Sequence, residues 1–285
     1  MLRCLGHQEW LSVELRRRII KKFVNHNTVG SQKFEIDFFG LRYRGNLTEL
    51  IDWFVYFFGA YEKQELFLLR DLVSAKPEPV FLDIGASVGQ HSLFMSQFCA
   101  QVHAFEPYAR ARERLQEKIA LNQLQNIMVH SVGLGAHNED LEFYAPVGHN
   151  IGVGSFLAHH RHKHQPIGKL RVVNGDDYLS GLALPRLDLI KIDVEGFEAY
   201  VLSGLSSTLK RFRPLLVMEL TNYNAKNGSL VQEIKDLLPR EYAIQQVSYN
   251  NFWSLTNRKL YKLRGLKVYE SSILPRNINL VLMPG

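Results

Sequence analysis

The spacing of the apolar positions changes at segment 76–79, which contains Pro77 and Pro79. Before it, apolar residues recur mainly at helical spacing, and after it short apolar runs alternate with helical stretches. The first part predicts an amphipathic helix over 12–24, a β-hairpin over 34–44 and a helix over 47–74 that breaks near Gly59. Because proline stops helices, we predict a mainly helical N-terminal extension over 1–76 and a second domain over 77–285.

The second domain has the pattern of an α/β fold. Its predicted strands are 80–84, 101–105, 127–132, 187–193, 214–220, 242–249 and 277–283, and its predicted helices are 89–98, 108–122, 196–210 and 229–238. This alternation is typical of a mostly parallel sheet with helices on both faces. Residues 257–265 are expected to form a loop, and residues 145–170 a long irregular insertion of the kind that is often functional.

Composition and charge narrow the class of protein. The chain has 285 residues, of which 46% are hydrophobic and 22% charged, as expected for a globular protein. Its net charge of +6 is scattered, apart from Arg16-Arg17-Arg18 with Lys21-Lys22. We interpret that run as the solvated face of a helix, with an anionic surface or nucleic acid as the alternative, and expect no nucleic-acid partner.

The cysteines and the apolar runs bear on location. Cys4 and Cys99 are far apart and form no disulfide framework, which favours a reducing compartment, and no secretory signal is recognisable, so we expect a cytoplasmic protein. The aromatic run 53–58 is too short to span a bilayer. We expect no stable membrane insertion, and interpret this run as a buried helix or as an interface through which the chain forms a homo-oligomer.

A glycine-containing turn, Asp83-Ile84-Gly85-Ala86-Ser87-Val88-Gly89, follows the first strand of the domain. It lacks the lysine of a Walker loop, and it has too few glycines for a dinucleotide fingerprint. The carboxylate of Asp83 at the strand end disfavours a pyrophosphate and favours a cation. The turn therefore predicts a ligand that carries a positive charge at this end.

Glu106 ends the next strand, 23 positions after Asp83. An acid at about this spacing commonly accepts hydrogen bonds from ribose hydroxyls. A ligand with a ribose and a positive charge but no phosphate matches S-adenosylmethionine, whereas NAD and ATP match poorly. The alternative is that Asp83 and Glu106 are helix caps or surface residues.

Further acids follow the fourth and fifth strands. Asp193 ends the fourth strand, which meets the first at the switch point of a doubly wound sheet, so Asp83 and Asp193 should flank one crevice. Glu195 lies just beyond, with capping of the next helix as its alternative role. Glu219 ends the fifth strand, and its alternative role is a structural partner for Lys191 or for an arginine.

Four segments, in this order, resemble the FkbM family of S-adenosylmethionine-dependent methyltransferases: FLDIGASVGQHSLF, VHAFEP, LIKIDVEGFEAYVLSG and RPLLVMEL. GAYEKQEL and RNINLVLMP resemble the family's lead-in and end, so the resemblance covers roughly residues 45–285. It implies a Rossmann-like class I methyltransferase fold, with a seven-stranded, mostly parallel sheet whose last strand is antiparallel. The family turn usually reads D-I-G-A-N, and here Ser87 replaces the asparagine.

The resemblance also implies roles for individual residues. Those implied to bind the cofactor are Asp83, Gly85, Ala86 and Gly89 around the methionine end, Glu106 at the ribose, Ser131 and Val132 near the adenine, and Asp193 at the junction with the acceptor. The implied reaction is methyl transfer to oxygen, on a small-molecule or glycan acceptor. A methyltransferase acting on a protein or peptide, and a non-catalytic S-adenosylmethionine-binding module, are the alternatives.

Methyl transfer to a hydroxyl is helped by a general base. Asp193 and Glu195 are the predicted catalytic residues, and a histidine of the insertion is the alternative. Five histidines fall there, namely His149, His159, His160, His162 and His164. We expect no metal at these histidines, because no cysteine is near and Arg161 and Lys163 repel a cation; a Mg²⁺ site built from Asp193, Glu195 and Glu219 is an alternative.

Overall fold

The computed structural model describes residues 1–8, 10–147, 154–157, 164–221, 230–249, 261–265 and 277–285. The N-terminal part contains helices α1 (Leu2–Gly6), α2 (Val13–Phe23), α3 (Leu50–Phe58) and α4 (Lys63–Val73), and a hairpin of β1 (Lys33–Phe38) and β2 (Leu41–Asn46). The predicted break in the third helix is confirmed, because Gly59 ends α3 in the left-handed conformation, with φ of 85°.

The main sheet has eight described strands, which are β3 (Val80–Ile84), β4 (Gln101–Phe105), β5 (Ile127–His130), β9 (Leu189–Ile192), β10 (Leu215–Thr221), β11 (Tyr242–Tyr249), β12 (Tyr261–Gly265) and β13 (Asn277–Pro284). Their spatial order is β12-β11-β13-β10-β9-β3-β4-β5. The pairs from β10 to β5 are parallel, and β13 lies antiparallel between β10 and β11. The predicted α/β class with an antiparallel last strand is confirmed.

One strand of this sheet was missed. Residues 257–265 were predicted to be a loop, but 261–265 form the edge strand β12. Tyr261 is buried there and its hydroxyl donates to Asp71, while Leu263 packs on the core. Tyr261 and Leu263 alternate with Lys262 and Arg264, but the alternation covers only this short segment and is therefore a weak strand signal.

A second, three-stranded sheet stands where the irregular insertion was predicted. It has the order β6 (Gly133–Gly135), β8 (His164–Asn174), β7 (Glu139–Pro146). The prediction for 145–170 was therefore wrong at both ends, because 145–146 and 164–170 are paired strands. The histidines at 149, 159, 160 and 162 lie outside the described residues, and His164 begins β8.

The remaining helices cover the main sheet. They are α5 (Gln90–Met95), α6 (Ala109–Asn122), α7 (Gly175–Gly181), α8 (Glu198–Ser203), α9 (Ser206–Phe212) and α10 (Leu230–Leu237). The helix predicted over 196–210 is two helices, because the chain passes Gly204 against the backbone of Gly135, where a Cβ atom would collide with a carbonyl oxygen. Helix α7 was not predicted.

The N-terminal part packs directly on the sheet. Leu66 and Leu69 of α4 belong to the same apolar cluster as Phe81 of β3. Asp52 of α3 is fully buried and receives hydrogen bonds from the Tyr43 hydroxyl at 2.8 Å and from Arg114 of α6 at 2.7 Å. The Arg114 contact holds α3 against α6, and Leu50 and Ile51 of α3 line the pocket described below.

The aromatic run 53–58 is largely buried within the chain. Trp53 is 1% exposed, and its indole nitrogen donates to the carbonyl of Val24 at 2.9 Å. Phe57 and Phe58 are buried beside it, in a cluster that includes Ile20 of α2. Among the described residues, no helix is both long and apolar enough to span a bilayer.

Candidate active site

A pocket of about 350 Å³ opens at the carboxyl ends of β3, β4, β9 and β10. It lies at the switch point between β3 and β9, where open α/β sheets bind their ligands. Gly85, Glu106, Asp193 and Glu219 reach it from the four strand ends. The predicted crevice is therefore present, and most of the acids predicted for it converge there.

The turn after β3 is held by the neighbouring strands. The amides of Gly85 and Ala86 both donate to the carbonyl of Phe105, each at 3.1 Å. Gly85 has φ of 86°, and a Cβ atom on it would collide with the carbonyl oxygen of Asp193. Gly85 and Ala86 line the pocket, whereas Gly89 lies against Leu115 of α6 and is not part of the described wall.

Ser87 adopts the left-handed conformation, with φ of 51°. Asparagine is among the residues that tolerate this conformation best, which explains its fit at this position of the turn. The Ser87 hydroxyl is buried on the pocket wall and has no hydrogen-bond partner among the described residues. The turn thus offers a ligand a polar group that the protein leaves unsatisfied.

Glu106 lies on the pocket wall and is 7% exposed. Its two carboxylate oxygens accept the amides of Ser87 and Tyr108, each at 2.8 Å. Burial raises the pKa of Glu106 to about 7, although these two amides oppose the rise. The amides fix the carboxylate, and each oxygen keeps a lone pair for a ligand hydroxyl.

Asp83 does not line the pocket. It is 1% exposed and accepts the Ser92 hydroxyl at 2.6 Å, while its other oxygen has no hydrogen-bond partner among the described residues. Burial raises its pKa, and the positive charge of Lys191 opposes the rise. Sequence reasoning placed Asp83 at the ligand because it ends the strand, but Ile84 and Gly85 follow it and form the wall.

Lys191 stands at the centre of a group of acids. Its ammonium donates to Asp193 at 2.8 Å and lies 3.7 Å from Glu65. Burial alone would lower the pKa of Lys191, but Asp193 and Glu65 hold it well above its usual value. The hydrogen-bond partner of Lys191 is thus Asp193, and the charge of Lys191 also acts to lower the pKa of Glu219.

Glu219 and Glu62 complete the acidic end of the pocket. Burial, followed by the charges of Asp193 and Glu65, raises the pKa of Glu219 to about 8. Burial, followed by Glu65 and Glu219, raises the pKa of Glu62 well above its usual value. Sequence reasoning missed Glu62, Glu65 and His91 as site residues, because Glu62 precedes α4, Glu65 lies in it and His91 lies in α5, so no helical spacing links the three.

Glu195 lines the pocket in a left-handed conformation with φ of 54°, and its carbonyl accepts the Ser155 hydroxyl at 3.0 Å. The alternative that Glu195 caps the next helix is wrong. The N-cap residue of α8 is Phe197, without a side-chain cap, and the buried carboxylate of Glu198 accepts the amide of Gly196 at 2.9 Å. Burial raises the pKa of Glu198 to about 7.

The predicted adenine contacts fall beside the pocket wall rather than on it. Ser131 is exposed and Val132 packs on the core, whereas the next two residues, Gly133 and Leu134, line the pocket. The strand predicted over 127–132 ends at His130, two residues earlier than predicted.

Aromatic side chains form the opposite wall. Phe143 packs on Tyr108 and on Phe156, with ring centroids 5.5 and 5.1 Å apart, and Phe156 lies 5.4 Å from Phe197. All four line the pocket. A site with an acidic end, a fixed carboxylate and an aromatic wall suits a ligand with a cationic end and a flat ring.

The comparisons with known proteins decide the family. The profile described as "Methyltransferase FkbM domain" matches residues 83–246, which is more than half of the chain. The chain belongs to the FkbM methyltransferase family. The residues that line the pocket from Gly85 to Glu219 fall inside the matched range, whereas Glu62 and Glu65 precede it.

Two curated members are similar to this FkbM methyltransferase. "2-O-methyltransferase NoeI" of Sinorhizobium fredii is 30% identical over 187 residues, which cover 60% of this chain and 76% of NoeI. "Hexuronic acid methyltransferase AglP" of Haloferax volcanii is 26% identical over 147 residues, 51% of this chain and 58% of AglP. The crystal structure of an FkbM methyltransferase from Methylobacillus flagellatus, at 17% identity, covers 72% of this chain and 43% of that chain with a TM-score of 0.45.

Proposed function

We propose that this methyltransferase uses S-adenosylmethionine to methylate a hydroxyl group of a sugar or another small molecule. The observation that carries the proposal is Glu106, a carboxylate fixed by two amides at the end of β4 and facing a pocket whose other end is acidic. This arrangement suits a ribose at one end and a positive charge at the other. The name of NoeI specifies an O-methyltransferase, and that of AglP a sugar acid as its acceptor.

The donor set of the pocket fits the cofactor. Glu106 would hold the ribose hydroxyls, and the buried Ser87 hydroxyl is available to a polar atom of the ligand. The absence of a Cβ atom at Gly85 leaves the turn close to Asp193, so that a ligand touches both. The aromatic wall of Phe143 and Phe156 offers a flat apolar surface to the adenine.

Once bound, the cofactor would supply a methyl group, which moves from the sulfonium sulfur to the acceptor oxygen while the electrons of the broken bond remain on sulfur. The chain's own residues align the acceptor and take its proton. Lys191 holds one oxygen of Asp193, and the other oxygen has no hydrogen bond among the described residues. We assign Asp193 to the acceptor hydroxyl and Glu195, further along the same wall, to the second carboxylate of the site.

The N-terminal part contributes to the acceptor end. Leu50, Ile51 and Tyr61 line the pocket, and Gln90 binds both main-chain groups of Tyr61, at 2.7 and 2.8 Å. Leu50, Ile51 and Tyr61 precede the matched FkbM range, and we propose that they select the acceptor. A cytoplasmic location is part of the proposal, because Cys4 and Cys99 are free thiols.

The test is transfer of a labelled methyl group from S-adenosylmethionine to separate pools of carbohydrates, small metabolites and proteins. The proposal predicts label in the carbohydrate or metabolite pool, and loss of that label with Asp193→Asn. Label confined to the protein pool would favour the protein methyltransferase alternative. A wild-type chain that binds the cofactor and labels none of the pools would support the non-catalytic alternative.

A further inference from the structure

Three side chains with metal-ligating atoms converge at the acidic end of the pocket. Glu62 precedes α4, Glu65 lies in its first turn, and His91 lies in α5. One ligand atom from each lies within 4.8 Å of the other two. Glu62 and His91 also line the pocket, so an ion held here would face the ligand space.

His91 is the observation that points to a ligand. His91 is only 8% exposed, and its Nε2 atom has no hydrogen-bond partner among the described residues. The Nε2 atom faces Glu65 Oε1 at 3.4 Å without the geometry of a hydrogen bond. A buried polar atom without a partner needs an explanation, and ligation of an ion through Nε2 supplies one.

The charges around these side chains favour a further cation. The described pocket wall contains five carboxylates, Glu62, Glu106, Asp193, Glu195 and Glu219, and a single lysine. That lysine, Lys191, is closer to Asp193 than to Glu65, at 2.8 Å against 3.7 Å. The lysine therefore compensates the charge of the Asp193 side of the cluster more than that of the Glu65 side.

Glu65 is also oriented from behind. Its second oxygen, Oε2, lies 3.4 Å from the side-chain amide nitrogen, Nδ2, of Asn279 in β13. Such outer contacts are how proteins orient carboxylate ligands of metals. Glu62 is less buried than the other two and can adjust, which matters because ligands of a bound ion lie closer together than 4.8 Å.

We propose that Glu62, Glu65 and His91 bind a divalent first-row transition metal ion. Two carboxylates and one imidazole suit Mn²⁺ or Zn²⁺ better than Ca²⁺ or Mg²⁺, which prefer oxygen ligands alone. Three protein ligands leave positions open toward the pocket, as in catalytic metal sites. These positions would take oxygen atoms of the acceptor, and this second statement rests on the proposed function.

This site differs from the Mg²⁺ site at Asp193, Glu195 and Glu219 that the sequence suggested as an alternative. There, the Lys191 ammonium already binds Asp193 and occupies the place of a cation. The ligands proposed here come from the N-terminal part and from α5, which sequence spacing alone does not bring together. Their convergence depends on the packing of α4 against α5.

The binding test uses the full chain, stripped of metal with a chelator and free of cofactor and acceptor. Mn²⁺ is titrated by calorimetry and by electron paramagnetic resonance, and Zn²⁺ by competition. We expect one saturable Mn²⁺ site, with nitrogen hyperfine coupling from His91. His91→Gln should remove the coupling and weaken binding at least ~10-fold, and Glu62→Gln should also weaken binding at least ~10-fold.

Glu219→Gln is the matched control, because it replaces a carboxyl group of the same cluster with an amide of the same shape without removing a proposed ligand. It should weaken Mn²⁺ binding by much less than His91→Gln. Equal effects of the two variants, or no saturable site in the wild type, would overturn the metal site. Because Glu62 is partly exposed, its variant keeps the test valid if His91→Gln unfolds.

The acceptor role has a separate readout. It predicts that chelation lowers methyl transfer and that Mn²⁺ restores it in the wild type but not in Glu62→Gln. A saturable Mn²⁺ site with transfer unaffected by chelation would overturn the acceptor role alone. Failure of the proposed function would instead appear as absent transfer with metal binding intact.

Discussion

The carbonyl oxygen of Asp193 lies where a Cβ atom of residue 85 would stand. The contact follows from the pairing of β3 with β9, which sets Ile84 beside Ile192 and brings the two strand ends together. Because residue 85 also has φ of 86°, glycine satisfies both the space and the backbone at this point. The turn at Gly85 is thus in direct contact with the backbone of Asp193, which carries the proposed catalytic carboxylate.

This contact predicts a large effect of Gly85→Ala. The added methyl group must displace the strand end, so we expect a loss of about 2–4 kcal/mol in the free energy of unfolding and loss of cofactor binding. Gly40→Ala is the matched control, with φ of 88° and nothing within 4 Å of the added atom. Urea unfolding should show a loss of only about 1 kcal/mol for the control; equal losses would mean that the Asp193 contact contributes nothing.

Asp193→Asn should separate catalysis from folding. Asparagine keeps the shape and can still accept from Lys191, but it removes the charge that takes the acceptor proton. We expect turnover to fall at least ~10²-fold, with a smaller change in cofactor affinity. Single-turnover rates and calorimetry on the same preparation measure the two effects. A variant with near wild-type turnover would transfer the role to Glu195 or to a histidine of the insertion.

Cofactor affinity should depend on pH through Glu106. Ribose hydroxyls donate to the ionised carboxylate, and burial raises its pKa to about 7, so affinity should rise as pH increases from 6 to 8. Glu106→Gln should flatten this dependence, and Glu106→Ala should weaken binding by about 1.5–3 kcal/mol. An unchanged pH dependence in Glu106→Gln would assign the titration to another group.

Stability should depend on pH through His103 and His130, a buried pair with ring nitrogens 3.0 Å apart. Burial lowers the pKa of each to about 4, so the unfolded chain binds more protons below pH 6.5 and the pair loses stability as pH falls. Buried glutamates such as Glu198 titrate with the opposite sign, so wild type is compared with His130→Phe. The stability difference between them should shrink by about 1–2 kcal/mol from pH 7 to pH 5. A constant difference would contradict the neutral pair.

The strands of the main sheet and the residues at their ends could be predicted from the sequence. Buried parallel strands are short apolar runs, and their ends meet at one edge of the sheet. Glu106, Asp193 and the turn at Gly85 were predicted in this way, and they line the pocket. Asp83 lies behind the pocket wall, because a strand-end position does not say whether the side chain faces the ligand or the helix behind. Strand β12 was missed because its alternation of apolar and charged residues covers only one short segment.

The three proposed metal ligands at the acidic end of the pocket could not be predicted from the sequence, for a different reason. Glu62, Glu65 and His91 come from two elements that meet only through packing of α4 and α5, so their spacing along the chain carries no signal. The hairpin of β7 and β8 was read as irregular because glycine, proline and histidine interrupt its alternation. In both cases the structure depends on contacts among the N-terminal part, the second sheet and the main sheet, and the local sequence pattern does not show these contacts.

The central claim is that this pocket binds S-adenosylmethionine, with Glu106 at the ribose and without a phosphate site. Calorimetric titration of the full chain with S-adenosylmethionine and, separately, with NAD tests it most directly. The account predicts one S-adenosylmethionine per chain, markedly weaker binding by Glu106→Ala, and no saturable heat with NAD. Binding of NAD at least as tight as that of S-adenosylmethionine, or unchanged affinity in a folded Glu106→Ala variant, would contradict it.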